Sequence, residues 1–170
     1  MRTVSGLVRR LRPRRIPLVP VLVAATLLAA IAAGSAWHGQ HRAQQRDAAV
    51  RSSLATATAA AKAIFSYDYR TFDASVANGR TFVTGEFADE YAQTTAALKE
   101  TATKQQAVVL AEVSATGVVT ATADRVELLV YLNQYRRNVS TAGEKVDQNR
   151  VVLTMVPVGA DWKVARAAAI

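Results

Sequence analysis

The sequence predicts an α+β fold, with three helices in series followed by long antiparallel strands that form a curved sheet over them. Apolar residues recur every three or four positions up to about Lys104 and every second position beyond it. The second half is also rich in β-branched residues and is broken by turns containing Asn, Gly and Asp. Because helices precede strands instead of alternating with them, the pattern favours α+β over a parallel α/β sheet.

The chain has 170 residues and a formal charge of +8, which is room for one domain and an appendage. The charge is unevenly placed. Arg2, Arg9, Arg10, Arg12, Arg14 and Arg15 lie in the first fifteen residues with no acid among them, whereas residues 52–170 carry twelve groups of each sign. A neutral body whose aromatic residues do not interleave with basic ones argues against a nucleic-acid partner. Ile16 to Trp37 follows without a charge in twenty-two positions. At about 1.5 Å per residue it is long enough for a hydrocarbon core of about 30 Å. Pro17 and Pro20 suit a first turn, and Trp37 suits the far interface. Residues 1–15 are thus read as a cytoplasmic tail by the positive-inside rule, 16–37 as a transmembrane helix of a single-pass cell-membrane protein, 38–53 as a stalk and 54–170 as an extracytoplasmic domain. A cleaved signal peptide ending near Gly34, Ser35 and Ala36 is the competing reading, but the apolar run exceeds the about 7–15 residues of such a segment.

Val50, Leu54, Ala57, Ala61 and Ile64 make a one-sided helical stripe after a polar stretch that begins at Gln40. The run from Ser66 reads as a second helix with Tyr69, Phe72 and Val76 on one face, stopped at Asn78-Gly79 by a left-handed residue. Thr84 is the expected N-cap of a third helix, with Glu86, Asp89 and Glu90 in its first turns, Phe87, Tyr91 and Leu98 on its buried face, and an end near Thr103. Strands are expected at Ala107–Thr116, with an extension to Ala123 past a bulge or turn at Gly117, and at Arg125–Arg137, Val146–Val158 and Trp162–Arg166. Val126, Leu128, Val130 and Leu132 should share one face, and Val152, Val156 and Val158 are assigned to the same apolar lining. That lining is either core or, if the space below it is incompletely filled, the wall of a pocket for an apolar lipid ligand.

Catalytic chemistry has few carriers. There is no Cys, and both histidines, His38 and His41, precede the domain, so triads, thiolates and His-based metal sites have no residues to use there. The two histidines read as polar filler. Asp68 and Asp73 are the candidate bases if an enzyme is considered, against the plainer readings of a helix cap for Asp68 and a surface charge near Arg70 or Ala77 for Asp73. Glu86, Asp89 and Glu90 fit a helix dipole better than a Ca²⁺ loop. Gly79 and Gly85 mark helix boundaries and do not form a phosphate loop. Asn138-Val139-Ser140 has glycosylation spacing but sits in a turn. Tyr135, Arg136 and Arg137, at a strand end, are the expected exposed contact. No catalytic, cofactor-binding or metal-binding residue is assigned.

The run FSYDYRTFDASVANGRTFVTGEFADEYAQTT (Phe65 to Thr95) resembles the Mce-associated membrane proteins of actinobacteria. The matching motifs are Ser66 to Asp73, Thr84-Gly85-Glu86-Phe87, Val146 to Val151, and the Gly-x-Asp-Trp-x-Val run from Gly159 to Val164. The resemblance as a whole covers about residues 16 to 166 in order and spacing. Ala74-Ser75 departs from the family's Ala-Asp and removes a charge from the second helix. The resemblance implies an NTF2-like, also VirB8-like, α+β cone outside the membrane. It also implies a non-enzymatic role in assembling or stabilising Mce complexes, which import lipids such as fatty acids and sterols, with Mce and permease subunits as partners. A VirB8-type assembly factor of a secretion or conjugation machine, and an NTF2-like enzyme acting on an apolar substrate, are the alternatives.

Overall fold

A computed structural model describes residues 18–170; the basic tail and the start of the expected span at Ile16 lie outside the described residues. The chain forms two units, divided between His41 and Arg42. Helix α1 (Leu18–Phe65) runs through that division. In the first unit the apolar side chains of Leu22, Val23, Leu27, Leu28, Ile31 and Trp37 are exposed, Trp37 at 79 %. Among the described residues no helix is long and apolar enough to cross a membrane.

The second unit is the α+β domain. The α1 stripe enters its core at Ala49 and continues through Ser53, Ala57, Ala60, Ala61 and Ile64, all buried. The alanines expose so little side chain that the helix backbone can lie close to the sheet. Helix α2 (Phe72–Arg80) and helix α3 (Gly85–Lys104) follow. The strands are β1 (Tyr67–Asp68), β2 (Val108–Ala121), β3 (Val126–Arg137), β4 (Lys145–Val158) and β5 (Asp161–Ala169). They pair antiparallel in the order β1-β2-β3-β4-β5. This simple meander and its helices bear out the expected α+β class with a curved antiparallel sheet.

Several local expectations need correction. The segment after Ser66 does not begin as a helix. Tyr67 and Asp68 pair with Val109 and Val108 of β2, and a single 3₁₀ turn at Tyr69–Thr71 precedes α2. Ser66 helps fix this, its hydroxyl accepting the Ala111 N–H at 2.9 Å. Asn78 and Gly79 do not stop α2, which continues to Arg80; their carbonyls accept the Thr81 and Phe82 amides instead. Gly79 is buried because the Tyr91 ring lies against it. A Cβ there would collide with the Tyr91 hydroxyl, stand 2.8 Å from the ring carbon that carries it, and stand 3.2 Å from the Ala63 carbonyl.

The expected interruption of β2 at Gly117 is also displaced. Register shifts place the extra residues at Ser114 and Val119, and the strand is continuous through Gly117. Each bulge switches which residues face inward. The inner face therefore runs Val109, Ala111, Val113 and then Thr116, Val118, opposite Val130 and Leu128. On β4 the buried side chains are Val151, Leu153 and Met155, so the assignment of Val152, Val156 and Val158 to the inner lining was of the wrong parity. A bulge at Ala165 of β5 lets Val164, Ala167 and Ala169 meet Met155, Leu153 and Val151 on one face. Val126, Leu128, Val130 and Leu132 are all buried as expected.

At the outer edge, β1 covers only Val108 and Val109. Beyond them, among the described residues, no strand pairs with that side of β2.

Candidate functional site

Val126, Leu128 and Val130 of β3 are fully buried in the core. The hollow part of the domain lies to one side, where α3 faces the end of β5. A cavity of about 380 Å³ opens there, within the about 300–1,000 Å³ of small-molecule sites. Ile64 and Phe65 close it at the end of α1, Phe72 and Val76 contribute from α2, and Phe87, Tyr91 and Leu98 from α3. Its sheet side is made by Gln134, Val151, Ala167 and Ala169. β5 contributes only the methyl side chains of Ala167 and Ala169 to its wall.

The polar groups around the cavity are mostly tied into the fold. Thr95 donates to the Tyr91 carbonyl at 2.7 Å. Gln134 donates to the Phe65 carbonyl at 3.3 Å and accepts from Asn149 at 2.6 Å. Burial pushes the Tyr91 phenol above its ordinary pKa. Burial also raises that of Tyr67, partly opposed by the positive charge of Arg136. Both phenols are therefore neutral hydrogen-bonding groups at physiological pH. Glu90 is exposed and lines the rim.

A second, wider groove of about 970 Å³ runs along β1 and the start of β2. It carries Lys62, Asp68, Arg70, Glu112, Arg137 and Glu144, and four of these charges pair as Asp68–Arg70 and Arg137–Glu144. Neutralised pairs in an open groove offer less to an apolar ligand than the smaller cavity does.

The candidate bases are not assembled for proton abstraction. Asp68 caps the 3₁₀ turn, accepting the Arg70 N–H at 2.9 Å and its guanidinium at 3.0 Å. Those bonds hold its carboxyl below the usual range, opposite to what a base working near neutral pH requires. Asp73 is exposed and pairs with Lys99 of α3 at 2.7 Å, while Arg70 pairs with Asp68. The capping reading of Asp68 and the surface reading of Asp73 thus describe the geometry, with Lys99 replacing Arg70 as the latter's partner.

A pH prediction follows from Asp68. A carboxyl whose pKa is lowered by folding adds stability that is full above its unfolded pKa of about 3.9 and is lost as pH falls through the folded value. Asp68→Asn should lower stability slightly at neutral pH and flatten the acid limb of the profile. Urea melts at a series of pH values check this; a variant profile parallel to wild type throughout contradicts it.

Among the other sequence candidates, His38 and His41 lie exposed on α1. Glu86 and Asp89 are exposed in the early part of α3, and only Glu90 of that acidic group reaches the cavity. Gly85 begins α3 with a positive φ of 60°. Ser140 donates its N–H to the Asn138 side chain in the β3–β4 turn. The proposed contact at Tyr135, Arg136 and Arg137 is partly used up within the fold, since Arg136 pairs with Asp147 at 3.1 Å and Arg137 with Glu144 at 2.7 Å. Sequence reading did not single out Ala167, Ala169, Thr95 or Gln134 for the cavity. The alanine-rich chain end was the available signal.

No family model matches the chain. It is 25 % identical over 153 residues to the uncharacterised protein Rv1362c of Mycobacterium tuberculosis, covering 88 % of this chain and 70 % of that one. Among solved structures it is similar to an IcmL-like type IV secretion system protein of Legionella pneumophila, with a TM-score of 0.56 and 16 % identity over 68 % of this chain and 89 % of the other. It is also similar to CagV, a VirB8 homologue of the type IV secretion system of Helicobacter pylori, with a TM-score of 0.55 and 9 % identity over 68 % and 96 %. The periplasmic domain of DotI gives a TM-score of 0.55 and 16 % identity over 69 % and 91 %. At these identities the likeness is one of fold alone, and the fold is VirB8-like.

Proposed function

We propose that the protein is a single-pass membrane protein whose VirB8-like domain lies outside the cytoplasm and serves, without catalysis of its own, as an accessory or scaffold subunit of an Mce-type lipid import complex. The observation that carries the non-catalytic scaffold role is the state of the domain's titratable groups: its candidate bases are spent on a cap and a surface ion pair, and it contains neither His nor Cys. The uncharged run from Ile16 to Trp37 supports the anchor. The Mce assignment rests on the motif resemblance around Phe65 to Thr95.

A second reading, an assembly factor of a secretion or conjugation machine, is favoured by the fold shared with the three secretion-system proteins. Both readings make the domain a docking subunit, and one experiment separates them. Affinity purification of the full chain from native membranes in mild detergent should recover Mce and YrbE-like permease subunits. Recovery of secretion ATPases instead selects the second reading, and a protein recovered alone overturns both.

A further inference from the structure

We propose that the cavity between α3 and β5 is a binding site for an uncharged, single-chain apolar molecule with a neutral polar end. The inference goes beyond the scaffold role and does not depend on it.

Size and chemistry both point this way. The cavity is walled by Phe72, Val76, Phe87 and Leu98, and the small Ala167 and Ala169 keep it open. A volume of about 380 Å³ is near the lower end of ligand sites, which suits one chain better than a bulky two-chain lipid. Selectivity comes from the rim. Glu90 is the one lining residue with a formal charge, and among the described residues no cation forms an ion pair with it. Arg136, whose charge acts on Tyr67, is already paired with Asp147. An anionic end group would therefore enter beside an uncompensated carboxylate and be repelled. A neutral hydroxyl meets no such repulsion and has Tyr67 and Thr94 as hydrogen-bonding neighbours. Among the other lining residues, Gln134, Thr95 and Ser66 are engaged within the fold, so they hold the walls in place.

The test uses the full chain in its own membranes and two photoreactive probes of equal chain length, a diazirine-bearing dodecanol and a diazirine-bearing dodecyl sulfonate that is charged at every pH. Dodecanol should label residues of the cavity walls at least about tenfold more than the sulfonate does. Glu90→Lys, an exposed substitution, should reverse that preference. Ala167→Leu should abolish wall labelling by dodecanol. If that variant does not fold, Thr94→Trp at the exposed rim reports the same blockage. Equal labelling by the two probes in wild type, a preference unchanged by Glu90→Lys, or wall labelling that survives the filled variant overturns the proposal. So does labelling restricted to the exposed apolar residues of α1.

Discussion

Leu128→Ala is expected to destabilise the domain by about 2–5 kcal/mol, the range for deleting a fully buried leucine side chain. Leu128 has no exposed surface and sits between Val118 of β2 and Leu153 of β4. Leu153 is itself fully buried and pairs with Leu128 in an unbroken register, so the space vacated on the β4 side collapses poorly. Its neighbour Leu129 faces the other way and is only half-buried; Leu129→Ala should cost distinctly less. Denaturant melts of the pair measure both, read as a shift of midpoint at constant slope. Equal losses for the two positions would mean that the face assignment of β3 is wrong.

Gly79→Ala should also destabilise, against the usual direction for a glycine inside a helix. Intrinsic propensity alone favours alanine by about 1 kcal/mol. Here the added methyl meets the Tyr91 hydroxyl and ring and the Ala63 backbone, and overpacking of that kind costs about 1–3 kcal/mol. The steric cost wins because Ala63 belongs to α1 and its carbonyl cannot swing away as a side chain end can. Tyr91→Phe removes the nearest of the three obstacles. In that background the same Gly79→Ala change should cost less, with a coupling of at least about 0.5 kcal/mol in a double-mutant cycle. Additive effects would show that the ring and the glycine do not touch.

The glycine also illustrates what sequence could and could not convey. Asn78-Gly79 after an apolar helical face carries the local signature of a helix stop, yet the residue is required for a contact with Tyr91, twelve positions on, which no local pattern encodes. Helix order, the switch to period two after Lys104 and the inward face of β3 were all legible because each repeats over many residues. The two-residue β1 was not, since it is a strand only by virtue of Val108 and Val109 beside it. On β4 the alternation holds but its phase is not marked in the sequence, so the inward set is Val151, Leu153 and Met155, and on β2 and β5 bulges at Ser114, Val119 and Ala165 each reset the parity. The cavity was legible only as an alternative between filled and hollow. Its existence depends on Ala167 and Ala169 lying across from α3, a relation between distant residues. Asp68 was correctly weighed as a cap, because Asp two residues ahead of a potential amide donor has a local geometry that sequence does carry.

The bulges have a further consequence for how the protein survives its own synthesis. From Val113 to Ala123 the chain has no charged residue and no proline, and Val119 is 53 % exposed. Such a run on an unpaired sheet edge is the kind of template on which identical chains stack into intermolecular sheets. Ser114 and Val119 break the even spacing of outward amides and carbonyls, so an arriving strand can stay in step for only a few residues before it must part. The irregularities that spoil the alternation of β2 thereby guard it against fibrillar growth, in a place where charge provides no such guard.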